Sequence, residues 1–170
     1  MADLKTNTQQ IPDELSECVR QSVLTNIEMM LGVELSSRDS DGVDLPCEGI
    51  TGIISLIGDV SWSLMVCLPR DTATAVAVGF VGFEVPFESA DMGDVVGELA
   101  NILAGDISAR LDALGVKAAL SLPTVLRGKD IDLLLPEGTP SVRHIFSSSL
   151  GQFSVRITAG EPSHMRRSGE

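Results

Sequence analysis

The sequence predicts an α/β (α+β) domain: one mostly antiparallel sheet with helices packed on one face, in two pseudo-symmetric halves. Two observations carry this. The hydrophobic period switches from helical to strand-like and back again, so that helix–strand–strand is followed by helix–strands. Both long helical stretches also stop on the same pair, Leu31–Gly32 and Leu114–Gly115, an offset of 83 with Val33 matching Val116 just beyond.

After a loose polar lead-in over residues 1–10, Pro12 opens a helix over about 12–31. Ile11, Leu15, Val19, Val23, Ile27 and Met30 recur at three- and four-residue steps, and Gly32 stops it. SSRDSDG reads as a polar turn. ITGIISLIG and DVSWSLMVCL are adjacent antiparallel strands divided by a turn at Gly58–Asp59, with Ile50, Gly52, Ile54 and Leu56 on one side of the first. In the second, Val60, Trp62, Leu64 and Val66 alternate with Ser61, Ser63, Met65 and Cys67.

Pro69 and Asp71 start a second helix over about 71–80, ending at Gly79 or Gly82. The long helix follows from Ser89 to Leu114, and Gly115 ends it. VKAALSLP is a strand closing on Pro123, IDLLL a short apolar run, and PEGTPS a turn-rich loop. RHIFSSSL and GQFSVRITAG form a second hairpin across Gly151. Residues 160–170 read as a disordered tail, leaving a single domain over 11–159.

A chain of 170 residues is one ordinary domain. Aromatics are scarce, so the core must be aliphatic, with Trp62 as an anchor. A net charge of −12 argues against nucleic acid, whose phosphates need clustered Lys and Arg. No apolar stretch approaches a membrane span, and the N-terminus lacks signal-peptide layout. Cys18, Cys47 and Cys67 form no CxxC pair and read as small buried hydrophobes in a reducing compartment, so a cytoplasmic protein is expected.

The informative stretch is DVVGELANILAG, residues 94–105. The apolar face of the long helix holds Met92, Val95, Val96, Leu99, Ile102, Leu103, Ile107, Leu111 and Leu114. At about 100° per residue, Asp94, Glu98, Asn101, Gly105, Ser108 and Asp112 all fall on the opposite stripe. Neither acid helps the helix fold. Asp94 and Glu98 repel at i,i+4, Asn101 competes for backbone hydrogen bonds, and Gly105 costs about 1 kcal/mol relative to Ala.

The spacing D-x3-E-x2-N in Asp94, Glu98 and Asn101, with 21 residues between Asn101 and Pro123, resembles the signature of the CheC/CheX/FliY phosphatases. These act on the phosphorylated chemotaxis response regulator CheY. GELANILAG and LPTVL resemble the same family, and the order of elements fits from 12 to 158. At the offset of 83, Ile11, Leu15 and Cys18 stand opposite the three stripe residues, and the first helix contains no E-x2-N. A single motif is similar to CheX rather than to two-site CheC.

The resemblance implies a CheC-like fold and hydrolysis of an aspartyl phosphate held by a partner regulator. It makes Asn101 the residue that orients the attacking water and Glu98 the anchor to the partner's active-site Lys. Asp94, Gly105 and Ser108 would contribute to docking, and Pro123 would shape the site indirectly. No cofactor of its own is expected, since Mg2+ belongs to the partner, and a homodimer is expected from the CheX-type pattern. The alternative is a non-catalytic adaptor that binds a response regulator or flagellar switch component. An ordinary small-molecule enzyme is disfavoured by the lack of a phosphate-cradling Gly loop, a metal-ligand cluster or a Ser/His/Asp order. His144 reads as a sheet residue.

Overall fold

Helix α1 (Asp13–Leu31) begins where the Pro12 carbonyl accepts from the N–H groups of Leu15 and Ser16, each at 3.0 Å. It ends at Gly32, whose φ of 64° lets its N–H reach the Glu28 carbonyl at 2.9 Å. Leu15, Val19, Val23 and Ile27 form its buried stripe, as the four-residue spacing predicts. The computed structural model describes residues 11–40, 48–131 and 134–160. The lead-in over 1–10, Cys47 and the tail beyond Gly160 lie outside them.

Strand β1 (Ser36–Asp39) occupies sequence read as part of a polar turn. It is an edge strand with one neighbour, β6 (Ser141–Ser148), and its polar side chains give no period to detect. Strands β2 (Glu48–Gly58) and β3 (Ser61–Pro69) form the predicted hairpin. Their inward residues are Ile50, Gly52, Ile54 and Leu56, and Trp62, Leu64, Val66 and Leu68. Cys67 points to the other face and is half-buried, as is Cys18 on α1, so neither is a core residue. Burial pushes the Cys18 thiol up.

Helix α2 (Arg70–Val81) ends at Gly82. Helix α3 (Ala90–Ala113) is capped by Ser89, whose hydroxyl accepts from the Met92 N–H at 3.3 Å. Beyond it the sheet edge is split. β4 (Ala118–Leu120) pairs with Leu56–Gly58, and β5 (Thr124–Lys129) pairs with Glu48–Ile53 of the same strand. At the break the Ser55 N–H turns to the Ser121 hydroxyl at 2.9 Å, beside Pro123, which has no N–H to offer. Pro123 therefore does not end the edge as its sequence position predicts: pairing with β2 resumes beyond it as β5. IDLLL contains no strand among the described residues, with Ile131 and Leu134 exposed. β6 and β7 (Gly151–Ala159) make the second predicted hairpin.

All pairings are antiparallel, in the order β1-β6-β7-β3-β2-β4, with β5 continuing the β4 edge. The order is symmetric about the central β7–β3 pair. Each half is a helix, an edge strand and a hairpin, and each edge strand pairs with the other half's hairpin. The buried stripes of α1 and α3 correspond at an offset of 84 residues: Leu15 with Leu99, Val19 with Leu103, Val23 with Ile107, Ile27 with Leu111. The offset of 83 read from the LG pairs is one short. At the end of α3 the last turn tightens, with the Leu114 N–H on the Leu111 carbonyl at 3.0 Å.

The helices cover one face of the sheet and enclose an aliphatic core, to which Phe146 and Phe153 add a stacked pair with ring centres 5.2 Å apart. Trp62 is buried there. α3 lies directly on β2, because Gly52 offers no Cβ: one added there would stand 2.9 Å from the Ala100 Cβ and 3.2 Å from the Val96 carbonyl oxygen. Among the described residues no helix is long and apolar enough to cross a membrane.

Candidate functional site

The site is built on α3, whose orientation leaves little freedom. Met92, Val95, Val96, Leu99, Leu103, Ile107 and Leu111 are buried, so the stripe half a turn away must face outward. Asp94, Glu98, Asn101 and Asp112 are exposed, and Gly105 and Ser108 are half-buried. From Asp94 to Asn101 the stripe runs about 10 Å along the axis at 1.5 Å per residue. No side-chain hydrogen bond or ion pair among the described residues engages Asp94, Glu98 or Asn101.

The flanks differ. On one side Pro123 packs against α3 at Gly97, where an added Cβ would lie 3.7 Å from the Pro123 Cγ and 3.5 Å from a Val125 methyl. Pro123 therefore supports the backbone immediately before Glu98. Beside it Leu122 stands 88% exposed, an apolar rim that no strand alternation discloses because it lies in the break between β4 and β5. Further along, the Ser108 hydroxyl donates to the Ala118 carbonyl at 3.2 Å, tying α3 to β4. A Cβ added at Gly105 would meet nothing within 4 Å, so the fold does not require a glycine there.

The start of α3 is held by a charged clamp. Arg70 bonds Glu88 at 2.6 Å and Glu48 at 2.8 Å, and its guanidinium lies over the Phe87 ring at 4.5 Å. Arg127 donates to the Phe87 and Ser89 carbonyls at 2.8 and 2.9 Å. On the face turned to α1, Asp106 pairs with Arg110 at 2.6 Å. Burial acts to raise the Asp106 carboxyl, but the Ser22 hydroxyl and then Arg110 hold it below its ordinary range. Ser22 and Asp106 occupy equivalent places on the two helices at the offset of 84, as do Asn26 and Arg110.

That offset also settles what α1 carries opposite the stripe. Leu15, aligned with Glu98 by the offset of 83, is fully buried. The true counterparts of Glu98 and Asn101 are Glu14 and Glu17. Glu17 is engaged by Gln21 at 2.8 Å and by Arg20, and the Gln21 amide, then the Arg20 guanidinium, hold its carboxylate below the usual range. At the equivalent places the first helix thus has E-x2-E, with Glu17 standing where α3 has Asn101.

A second cluster lies apart from the stripe. His144 on β6 is buried beneath α1, three strand spacings from β2, roughly 14 Å. It bonds Asp39 and Ser16. A Ser/His/Asp arrangement therefore exists, although no order of these residues in the chain disclosed it.

Residues 50–147 match the family described as "Chemotaxis phosphatase CheX". The chain is 27% identical over 116 residues to the CheY-P phosphatase CheX of Thermotoga maritima, covering 66% of this chain and 74% of that protein. A CheC-like superfamily protein from Shewanella sp. PV-4 superposes with a TM-score of 0.77 at 20% identity, over 88% of this chain and 99% of that one. A chain of the CheX–CheY–BeF3–Mg2+ complex from Borrelia burgdorferi superposes with a TM-score of 0.68 at 21% identity, over 88% of this chain and 97% of that one. With residues 50–147, more than half its length, matched, the chain belongs to the chemotaxis phosphatase CheX family.

Proposed function

We propose that this protein speeds hydrolysis of the aspartyl phosphate on a CheY-like response regulator, using the exposed stripe of α3 as the part inserted into the partner's pocket. The observation that carries the reading is the pairing of Glu98 and Asn101, outward-facing and side by side, on a helix fixed by its own buried face.

Phosphoryl transfer has a loose transition state, so the helper's task is positioning and charge stabilisation. The Asn101 amide oxygen accepts a hydrogen bond from a water while its NH2 donates elsewhere, directing the water's lone pair at phosphorus. Attack forms the new P–O bond as the bond to the partner's carboxylate breaks, releasing inorganic phosphate. No protonation change of the amide is needed, which suits a stripe without a His. Glu98 pairs with the partner's active-site Lys and sets the depth of Asn101, while Asp94 docks nearby. Gly105 lets the helix approach closely, Ser108 stiffens the far end through β4, and Pro123 braces Gly97. Mg2+ belongs to the partner's pocket and, with the Lys, offsets the repulsion between two acidic surfaces. A homodimer formed through the sheets is part of the same reading.

The test is phosphate release from a phosphorylated CheY-like regulator with and without this protein. Faster release supports the phosphatase reading. Binding to the regulator with unchanged release would instead identify an adaptor.

A further inference from the structure

On the half of the molecule opposite the α3 stripe, α1, β1 and β6 line an open polar cleft of about 370 Å³. His144 forms its floor and is 3% exposed. Its Nδ1 lies 2.8 Å from Oδ1 of Asp39, its register partner across β1–β6. Its Nε2 lies 3.0 Å from Oγ of Ser16. A carboxylate only accepts, so Asp39 selects the tautomer with Nδ1 protonated, and Nε2 is left to accept from the Ser16 hydroxyl. The three side chains come from a helix, an edge strand and an inner strand, and they form one continuous hydrogen-bond chain.

The cleft exists because the two halves differ at equivalent places. At the offset of 84, Asp13 corresponds to Gly97 and Ser16 to Ala100. On the α3 side Gly97 closes against Pro123 and Ala100 packs on Gly52. On the α1 side the same ground is open and lined by Asp13, Glu17, Arg20 and Arg38 around the Ser16–His144–Asp39 chain. None of these residues belongs to the phosphatase stripe.

We propose that this cleft is a second chemical site, in which Ser16 is a nucleophile toward small, polar carboxylic esters. Oγ attacks the carbonyl carbon while its proton passes to Nε2 of His144. The C–O bond to the leaving alcohol breaks, and the alcohol takes that proton. Water then repeats the sequence on the acyl-serine, giving the carboxylic acid and restoring the hydroxyl. The negative charge on the carbonyl oxygen in each step is met by the Arg38 guanidinium on the cleft wall. The volume lies near the lower end for ligand pockets, and the lining is polar, which selects short acyl groups over lipid chains. Asp39 is a positioning residue that acts through His144.

The full chain is incubated with a fluorophosphonate probe, and the modified peptide is identified by mass; p-nitrophenyl acetate hydrolysis is followed in parallel. The expected result is label on Ser16 of the wild-type protein and of Asn101→Ala, since the stripe plays no part. Ser16→Ala should lose the label and at least tenfold of the ester hydrolysis. Asp39→Asn should lower kcat at least tenfold with KM unchanged, which a merely structural role would not do. Wild-type protein that carries no label on Ser16, or Ser16→Ala that hydrolyses the ester at the wild-type rate, overturns the proposal.

Discussion

Glu98 and Asn101 stand three residues apart and both face solvent, while Leu99 and Ala100 between them are 1% and 0% exposed. The pair therefore cannot turn inward without unpacking α3 from β2. This separates docking from folding, so changes at the pair should act on activity and leave stability alone.

Glu98→Gln keeps the shape and removes the charge. In the proposed complex it should weaken docking by roughly tenfold or more, as expected when one member of a desolvated charge pair is lost. The measurement is the regulator concentration giving half-maximal phosphate release. It should rise, and the salt dependence of the interaction should fall.

Gly105→Ala separates the two properties differently. An added Cβ meets nothing within 4 Å, and Ala is better than Gly in a helix interior by about 1 kcal/mol. The variant should melt higher yet release phosphate more slowly, because the added methyl stands between α3 and the partner. Thermal denaturation and the release assay on one sample check both halves.

Gly52→Ala should do the reverse. Its Cβ would press on the Ala100 Cβ at 2.9 Å and on the α3 backbone, and overpacking of this kind costs about 1–3 kcal/mol. Urea denaturation should show the loss, and activity should fall with it because α3 is displaced.

The Asp106 carboxyl is held below its ordinary value of 3.8 in the folded protein. Its contribution to stability is therefore present above that value and disappears as the pH falls through the folded one. Asp106→Asn should be less stable than wild type at pH 7, and the difference should shrink on acidification below about pH 3.8. Urea midpoints across pH 2.5–7 measure this.

What was legible in the sequence was what is local. The stripe of Asp94, Glu98 and Asn101 sits on one helix, where a fixed turn per residue places every side chain. Ile50, Ile54 and Leu56 alternate because one face of β2 is buried. β1 was illegible because Ser36–Asp39 is a polar edge with no buried face of its own. β5 was hidden because Pro123 reads as an end, whereas Ser121 carries the ladder across the break. The repeat was placed one residue out because the tightened last turn of α3 shifts its stop relative to its core. Ser16, Asp39 and His144 were invisible as a group, since sheet pairing and helix packing alone bring them together.

The most direct test of the central claim is the rate of phosphate release from a phosphorylated CheY-like regulator with Asn101→Ala in place of wild type. The account predicts a fall of roughly 10²-fold or more, typical of losing a positioning group, with an unchanged melting temperature. Release at the wild-type rate by folded Asn101→Ala would contradict it.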